Sequence, residues 1–334
     1  MKRPRFVAEV SANHLGSLTR AHELIDIASE CGADAVKLQT YKPETMTLNL
    51  SQFSVSGDHR LWGGANLFNL YKEAMTPWEW HSELFDHAKQ KGIEVFSSPF
   101  DSTAVDFLED LGCPIYKIAS LETGDTDLIS YAASKGKRMI ISTGASTLEE
   151  IEDAVNAAQK IKDKLTLLVC TSSYPSEAAD AHLNRILNLR EKFKVDIGVS
   201  DHTLGIGVSV AAIALGATVI EKHLTIKRSD GGHDSAFSLE PDEFKLLVEE
   251  GKKAFAALGS PEWSTQESEA ESRRLRRSLF IAKPVKKGEL ASRENVKAFR
   301  PNMGGPIKDI DQILGKKFKK NYEAGDAATL DCVE

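Results

Sequence analysis

The stretches "FKVDIGVSDHTLG" (193–205) and "ATVIEKHLT" (217–225) share one pattern. Each starts with a short apolar run and ends in charge and imidazole: Asp201 and His202 in the first, Glu221, Lys222 and His223 in the second. The runs are too short for helices and too continuous for strands with one wet face, so they read as buried parallel strands. Six more such runs precede them: "RFVAEVS" (5–11), "AVKLQT" (35–40), "EVFSSPF" (94–100), "IYKIAS" (115–120), "RMIIST" (138–143) and "LTLLVCTS" (165–172). The full set closes with "DIGVSDH" (196–202) and "TVIEKHLT" (218–225).

The segments between the runs have helical period. Leu18, Ala21, Leu24, Ile25 and Ala28 form one stripe that stops near Gly32. Thr147 and Glu150 have capping-box spacing, and Pro241 opens a helix carrying Phe244, Leu247, Val248, Phe255 and Leu258. Eight strand–helix alternations predict an α/β fold, a closed (β/α)8 TIM barrel over residues 1–262. A doubly wound open sheet is the alternative. Residues 41–76 interrupt the alternation with a connection far longer than the roughly 2–6 residues of an ordinary βα loop. A lid or substrate-binding loop fits it, as does an insertion or an oligomer contact.

After the barrel, 263–277 reads as a charged linker; its "SRRLRR" (272–277) reads as a solvated helix face. Residues 278–334 read as a small β-rich domain in which "PVKKGEL" (284–290) and "NYEAGDA" (321–327) echo each other. So small a core is marginal alone.

Composition narrows the function. No apolar run approaches the ~20 residues of a membrane span, and no apolar signal segment follows "MKRPRF". Four scattered cysteines without a CxxC pair read as reduced thiols in a cytoplasmic protein. A net charge of −7 excludes a global footprint for nucleic acid, so an anionic ligand needs a local cluster of cations.

Such a cluster stands at the strand ends, where barrel enzymes react. Glu9, Asn13 and His14 follow the first strand; Lys37 and Gln39 lie on the second, Ser97 and Ser98 on the third, and Lys117, Ser120 and Glu122 on the fourth. Ser142 and Thr143 end the fifth; Thr171, Ser173 and Tyr174 end the sixth. A buried ammonium is costly unless paired, so two strand lysines need a reason. With Ser142 and Ser98 they make a wall suited to phosphate or carboxylate. His202 and His223 stand at matching heights and can hold a divalent metal with open positions left over; a plain hydrogen-bonded pair is the other reading. Asp201 and Glu221 are candidates to orient the imidazoles. Lys117 is also a candidate Schiff-base lysine, whereas alternation points Lys222 away from the interior. Glu9 reads as a general base or as an ion-pair partner of a lysine.

The ordered motifs "AEVSANHLGSL" (8–18), "GADAVKLQT" (32–40), "YKIAS" (116–120), "STGA" (142–145), "CTSSYP" (170–175), "SDHTLG" (200–205), "EKHLT" (221–225) and "ENVKAFRP" (294–301) resemble the sialic acid synthase family over nearly the whole chain. Within it, "FSSPF", "LYKEAMTPWEWH", "GGHDSAFSLEP" and "RRSLF" are most like the pseudaminic acid synthase branch. Leu15 and Ser98 depart from the "NHEG" and "STPF" patterns of N-acetylneuraminate synthases, and legionaminic acid synthases rank second. The resemblance implies a metal-dependent condensation of phosphoenolpyruvate with an amino sugar, by C–O cleavage, to a nonulosonic acid and phosphate. It implies a divalent ion, Mn2+ or else Mg2+ or Co2+, on His202 and His223, and Glu9 acting on the sugar or the attacking water. It implies Lys37, Lys117, Ser120, Ser142, Ser173 and Tyr174 on phosphoenolpyruvate with Ser200 nearby, and Asp234 and Gln39 on the sugar. It further implies a C-terminal antifreeze-like (SAF) domain in a domain-swapped homodimer, with Arg300 reaching the substrate's acyl groups in the other subunit.

Overall fold

The computed structural model describes residues 2–57 and 61–334. The chain divides into two compact units, 1–259 and 260–334.

In the first unit, eight parallel strands close in sequence order: β1 (Arg5–Glu9), β2 (Ala35–Thr40), β3 (Glu94–Pro99), β4 (Ile115–Ile118), β5 (Arg138–Ser142), β6 (Leu165–Cys170), β7 (Asp196–Ser200) and β8 (Val219–His223). The expected TIM barrel is borne out and the open sheet is excluded. The strands are shorter than their apolar runs with polar tails, because pairing stops before the loop residues. Asp201 and His202 thus lie just past β7, whereas His223 closes β8.

Helices pack around the strands as their stripes require. Leu18–Glu30 buries Ala21, Leu24, Ile25 and Ala28. Leu148–Ala157 starts at a complete capping box, Thr147 with Glu150. Pro241–Leu258 buries Phe244, Leu247, Val248 and Gly251. One continuous apolar cluster fills the space between strands and helices.

Register sets which side chains meet. Glu9 lies beside Lys37 of β2 and beside His223 of β8, and Ser200 lies beside Glu221. Strand alternation then turns Ser200, Glu221 and His223 to the barrel axis, while Lys222 faces the helix layer. The tight seam between β6, β7 and β8 depends on Gly198. A Cβ there would lie 2.4 Å from the Val219 carbonyl oxygen and 2.7 Å from Leu168 Cδ2.

The second unit has its own core, with Leu279, Ile281, Val285, Val296, Phe318 and Val333 buried together. Strands β9 (Ser278–Ile281) and β10 (Val296–Phe299) pair antiparallel. The two echoing segments pair with each other: Val285 and Tyr322 exchange backbone hydrogen bonds of 3.0 Å. Each turns at a glycine of positive φ, Gly288 and Gly325, which a larger residue adopts only with strain. The arginine run is solvated as read, with residues 271–277 all exposed.

Gly198→Ala is expected to lower stability by roughly 1–3 kcal/mol, because the new methyl meets backbone that cannot yield. Chemical denaturation measures it; an unchanged midpoint would show that the seam is slack.

Candidate active site

At the C-terminal ends of the strands lies a cavity of about 360 Å³. Its floor is polar: Lys37, Lys117, Ser142, Ser200, Glu221, His202 and His223 all line it. Its mouth is apolar and comes largely from the long connection, through Tyr41, Trp62, Leu67, Leu70 and Tyr71. That segment therefore walls the cavity; its residues 58–60 lie outside the described residues. A shallow depression of about 630 Å³ at the opposite barrel end has charged residues as well, but these are surface groups such as the Lys2–Asp196 pair at 2.6 Å.

The ammonium of Lys37 is held between two carboxylates. Its Nζ lies 2.7 Å from Glu9 Oε2 and 3.3 Å from Glu221 Oε1, all three residues being buried. Ser200 donates to the same Glu221 oxygen at 2.9 Å. Glu9 thus makes the lysine pair that was one of its two readings, and it stands behind the cavity lining. Burial lowers the pKa of Lys37 to about 8, against the opposing pull of Glu221. Burial raises Glu221, but Lys117, Lys37 and Ser200 outweigh it and hold that carboxyl well below its usual range. Lys117, on β4, donates to Ser142 Oγ at 2.6 Å and to the Ile118 carbonyl at 2.9 Å. Among these contacts it has no carboxylate partner, which leaves its charge available to a ligand anion.

The two imidazoles stand side by side, ring centroids 5.3 Å apart and planes 63° from parallel. His202 Nδ1 donates to the Thr171 carbonyl at 2.9 Å, which assigns a proton to Nδ1. Burial lowers the pKa of this ring, but Cys170, the Thr171 carbonyl and Glu221 outweigh it and raise it. Burial, then the charges of His202, Lys37 and Lys222, push His223 well below the usual histidine range, so it is neutral. Its Nδ1 is buried without a hydrogen-bond partner. His202 Nε2, on giving up its proton, and the orphaned Nδ1 of His223 are nitrogen donors that fit a divalent cation. Among the described residues no set of three His, Cys, Asp or Glu side chains could hold a metal by itself. The pair therefore leaves positions for ligand oxygen, as in catalytic sites.

Two candidates do other work. Asp201 and Glu221 do not orient the imidazoles. Asp201 faces outward to Lys222, 2.9 Å away, and Glu221 is taken by Lys37 and Ser200. The His202 orienter is instead a backbone carbonyl.

The remaining candidates distribute as follows. Gln39 donates to Ser11 at 2.9 Å and Ser11 to Asp234, forming a polar string on the cavity wall. Burial raises the pKa of Asp234. Tyr174 lies against His202, ring centroids 4.4 Å apart. Ser120 lines the cavity and accepts from the Gly144 amide at 3.2 Å. Ser98 is buried beside Gln39 in register with its hydroxyl unpartnered, outside the lining. Ser173 is exposed and turned to the Pro175 carbonyl. Asn13 ties Leu224 to Ser238, and His14 packs on Trp80, both away from the cavity. Arg300 belongs to the second unit, where it is exposed at the end of β10.

Sequence reasoning missed Ser11 and Cys170. Cys170 Sγ lies 3.9 Å from His202 Nδ1. Burial raises its pKa, but His202, its hydrogen bonds and Lys117 outweigh that and bring it to about 7. Its inward parity on β6, in register with Ser200, was a readable signal.

The comparisons decide the family. The NeuB family model matches residues 24–262, and the SAF domain model matches 276–334. The chain belongs to the NeuB family. It is 44% identical to pseudaminic acid synthase of Helicobacter pylori, over 99% of this chain and 98% of that one. It is 37% identical to N,N'-diacetyllegionaminic acid synthase of Campylobacter jejuni, over 97% and 98%. Among solved structures, N-acetylneuraminic acid (sialic acid) synthetase from Leptospira borgpetersenii, in complex with citrate, matches with a TM-score of 0.72 and 35% identity. That match covers 80% of this chain and 90% of the other. The resemblance drawn from the motifs is thus borne out, as is the SAF domain.

Proposed function

We propose that this chain condenses phosphoenolpyruvate with 2,4-diacetamido-2,4,6-trideoxy-L-altrose to give pseudaminic acid and phosphate. The observation that carries this is the convergence of Lys37, Lys117 and Ser142 with His202 and His223 on one cavity. The higher identity to a pseudaminic than to a legionaminic acid synthase supports the choice of sugar.

Lys37 and Lys117 bind the phosphate and carboxylate of phosphoenolpyruvate, where low dielectric makes the pairing strong. Ser120, Ser142 and Tyr174 complete that anion site, with Ser200 near it, while Ser173 and Ser98 stand outside the lining. When the anion takes Lys37, Glu9 loses its ammonium partner, keeps the Gln39 amide at 3.4 Å, and becomes the base for water. Gln39 and Asp234 hold the open-chain sugar so that carbon 3 of the enol ester attacks its aldehyde. Water then adds at carbon 2, and the tetrahedral species expels phosphate with its bridging oxygen. A divalent ion on His202 and His223, Mn2+ or else Mg2+ or Co2+, supplies Lewis acidity at the aldehyde oxygen when bound. Holding two substrates in line is worth up to ~7–11 kcal/mol.

We further place the chemistry in 1–262, with 263–277 as linker and 278–334 as the small domain. The chain forms a homodimer whose swapped SAF domains bring Arg300 to the acyl groups in the other subunit. Phe299 and Met303, exposed beside Arg300, support a surface that another subunit covers. The four free cysteines support a cytoplasmic setting.

A phosphate-release assay tests the reading. Turnover is expected with the trideoxy-L-altrose, and at least tenfold lower kcat/KM with its 6-deoxymannose counterpart and with N-acetylmannosamine. Preference for either other sugar overturns the choice of substrate, and no release with any of the three overturns the enzyme. The pH dependence follows from Lys37, whose lowered pKa leaves it charged below about 8 and neutral above. KM for phosphoenolpyruvate is therefore expected to rise on going above that pH. A flat KM from pH 7 to 9.5 would remove Lys37 from anion binding.

A further inference from the structure

Behind the two histidines lies a second ion pair that the mechanism does not use. Asp201 and Lys222 are adjacent in sequence to His202 and His223, and alternation turns them the other way, out of the barrel. There they meet, with Lys222 Nζ 2.9 Å from Asp201 Oδ2. Their side chains are 1% and 0% exposed, drier than any other ion pair among the described residues. Isolated charges so buried would be costly, and a network of hydrogen bonds offsets that cost. Asp201 Oδ1 accepts from the Thr203 amide at 2.9 Å and from its hydroxyl at 2.7 Å. Asp201 Oδ2 also accepts from Ser209 at 2.6 Å, out of the helix Gly207–Ala214. Lys222 donates in addition to the Thr203 carbonyl at 2.6 Å.

The consequence is geometric. Both chain neighbours of His202, Asp201 and Thr203, are tied to Lys222, the neighbour of His223. The His202 carbonyl is also held by the Ser176 amide at 3.1 Å, and the His223 carbonyl by the Leu239 amide at 2.9 Å. The last backbone hydrogen bond between these strands runs from the Asp201 amide to the Glu221 carbonyl at 3.0 Å, so His202 lies one residue beyond the ladder and the ion pair carries the constraint onward.

We propose that the Asp201–Lys222 pair is a positioning clamp that fixes the distance and tilt between the two imidazoles. It touches neither substrate nor metal. It rests on the reading of those imidazoles as a divalent-metal pair. Removing groups that hold ligands from behind typically weakens metal binding ~10–100-fold.

Mn2+ titration of the full chain, followed by the loss of the free-ion electron paramagnetic resonance signal, tests this. The double variant Asp201→Asn, Lys222→Met removes both charges together and leaves no unpaired buried ion. It is expected to keep its near-ultraviolet circular dichroism and to bind Mn2+ about tenfold or more weakly. Its kcat should fall at saturating phosphoenolpyruvate, with KM for that substrate unchanged, because Lys37 and Lys117 are untouched. A folded double variant with wild-type Mn2+ affinity overturns the clamp. If it does not fold, Ser209→Ala, which removes one hydrogen bond to Asp201, is expected to weaken Mn2+ binding about threefold; wild-type affinity there overturns the proposal equally. Wild-type protein that binds no Mn2+ overturns the metal reading and the clamp with it, which separates the two failures.

Discussion

The structure turns on one buried ammonium. Lys37 sits between Glu9 and Glu221, and the three residues come from adjacent strands, β2, β1 and β8. Burying a single charge there would cost several kcal/mol. Two carboxylates, one of them further held by Ser200, make it tolerable. The arrangement keeps an ammonium at the floor of a cavity by matching it with two carboxylates. In the proposed reaction an incoming anion takes over Lys37 and frees Glu9 from its ion pair. Lys117, already aimed at Ser142, supplies the second positive charge.

The same alternation that brings Lys37 and Glu221 together inside puts Asp201 and Lys222 together outside. Both arrangements thus draw on the end of β8, the inner one with β1 and β2 at the cavity and the outer one with the residue just past β7 on the helix side. Between them stand the imidazoles, whose rings meet the Thr171 carbonyl and neighbouring aromatic rings directly, with no acid bonded to either ring. The inner pair is available to exchange partners and the outer pair is not, which is how a rim can be both reactive and rigid. The long connection 41–76 adds an apolar mouth, a surface that suits the methyl groups of a deoxy, acylated sugar.

Much of this was legible beforehand because local pattern carries it. Eight apolar runs marked the strands, a Thr147–Glu150 spacing marked a helix start, and alternation alone sent Lys222 outward. The echo between "PVKKGEL" and "NYEAGDA" became a physical pairing of Val285 with Tyr322. What stayed hidden depends on register between distant strands. Which acid meets Lys37 follows from the β1–β2 and β8–β1 alignment, which no single run reveals. The assignment of Asp201 to an imidazole failed for the same reason: a closer, fully buried lysine took it. Cys170 was passed over because a cysteine in an apolar run reads as core until its neighbour across the sheet is known. Arg300 lies in the second unit, so its role rests on family resemblance and not on geometry within the barrel.

The most direct test is a crystal structure of the protein with phosphoenolpyruvate and Mn2+ added. The account predicts anomalous density between His202 and His223, and phosphoenolpyruvate with its phosphate and carboxylate on Lys37 and Lys117, the former displaced from Glu9. Metal density away from the two rings, or phosphoenolpyruvate bound with Lys37 still closed on both carboxylates, would contradict it.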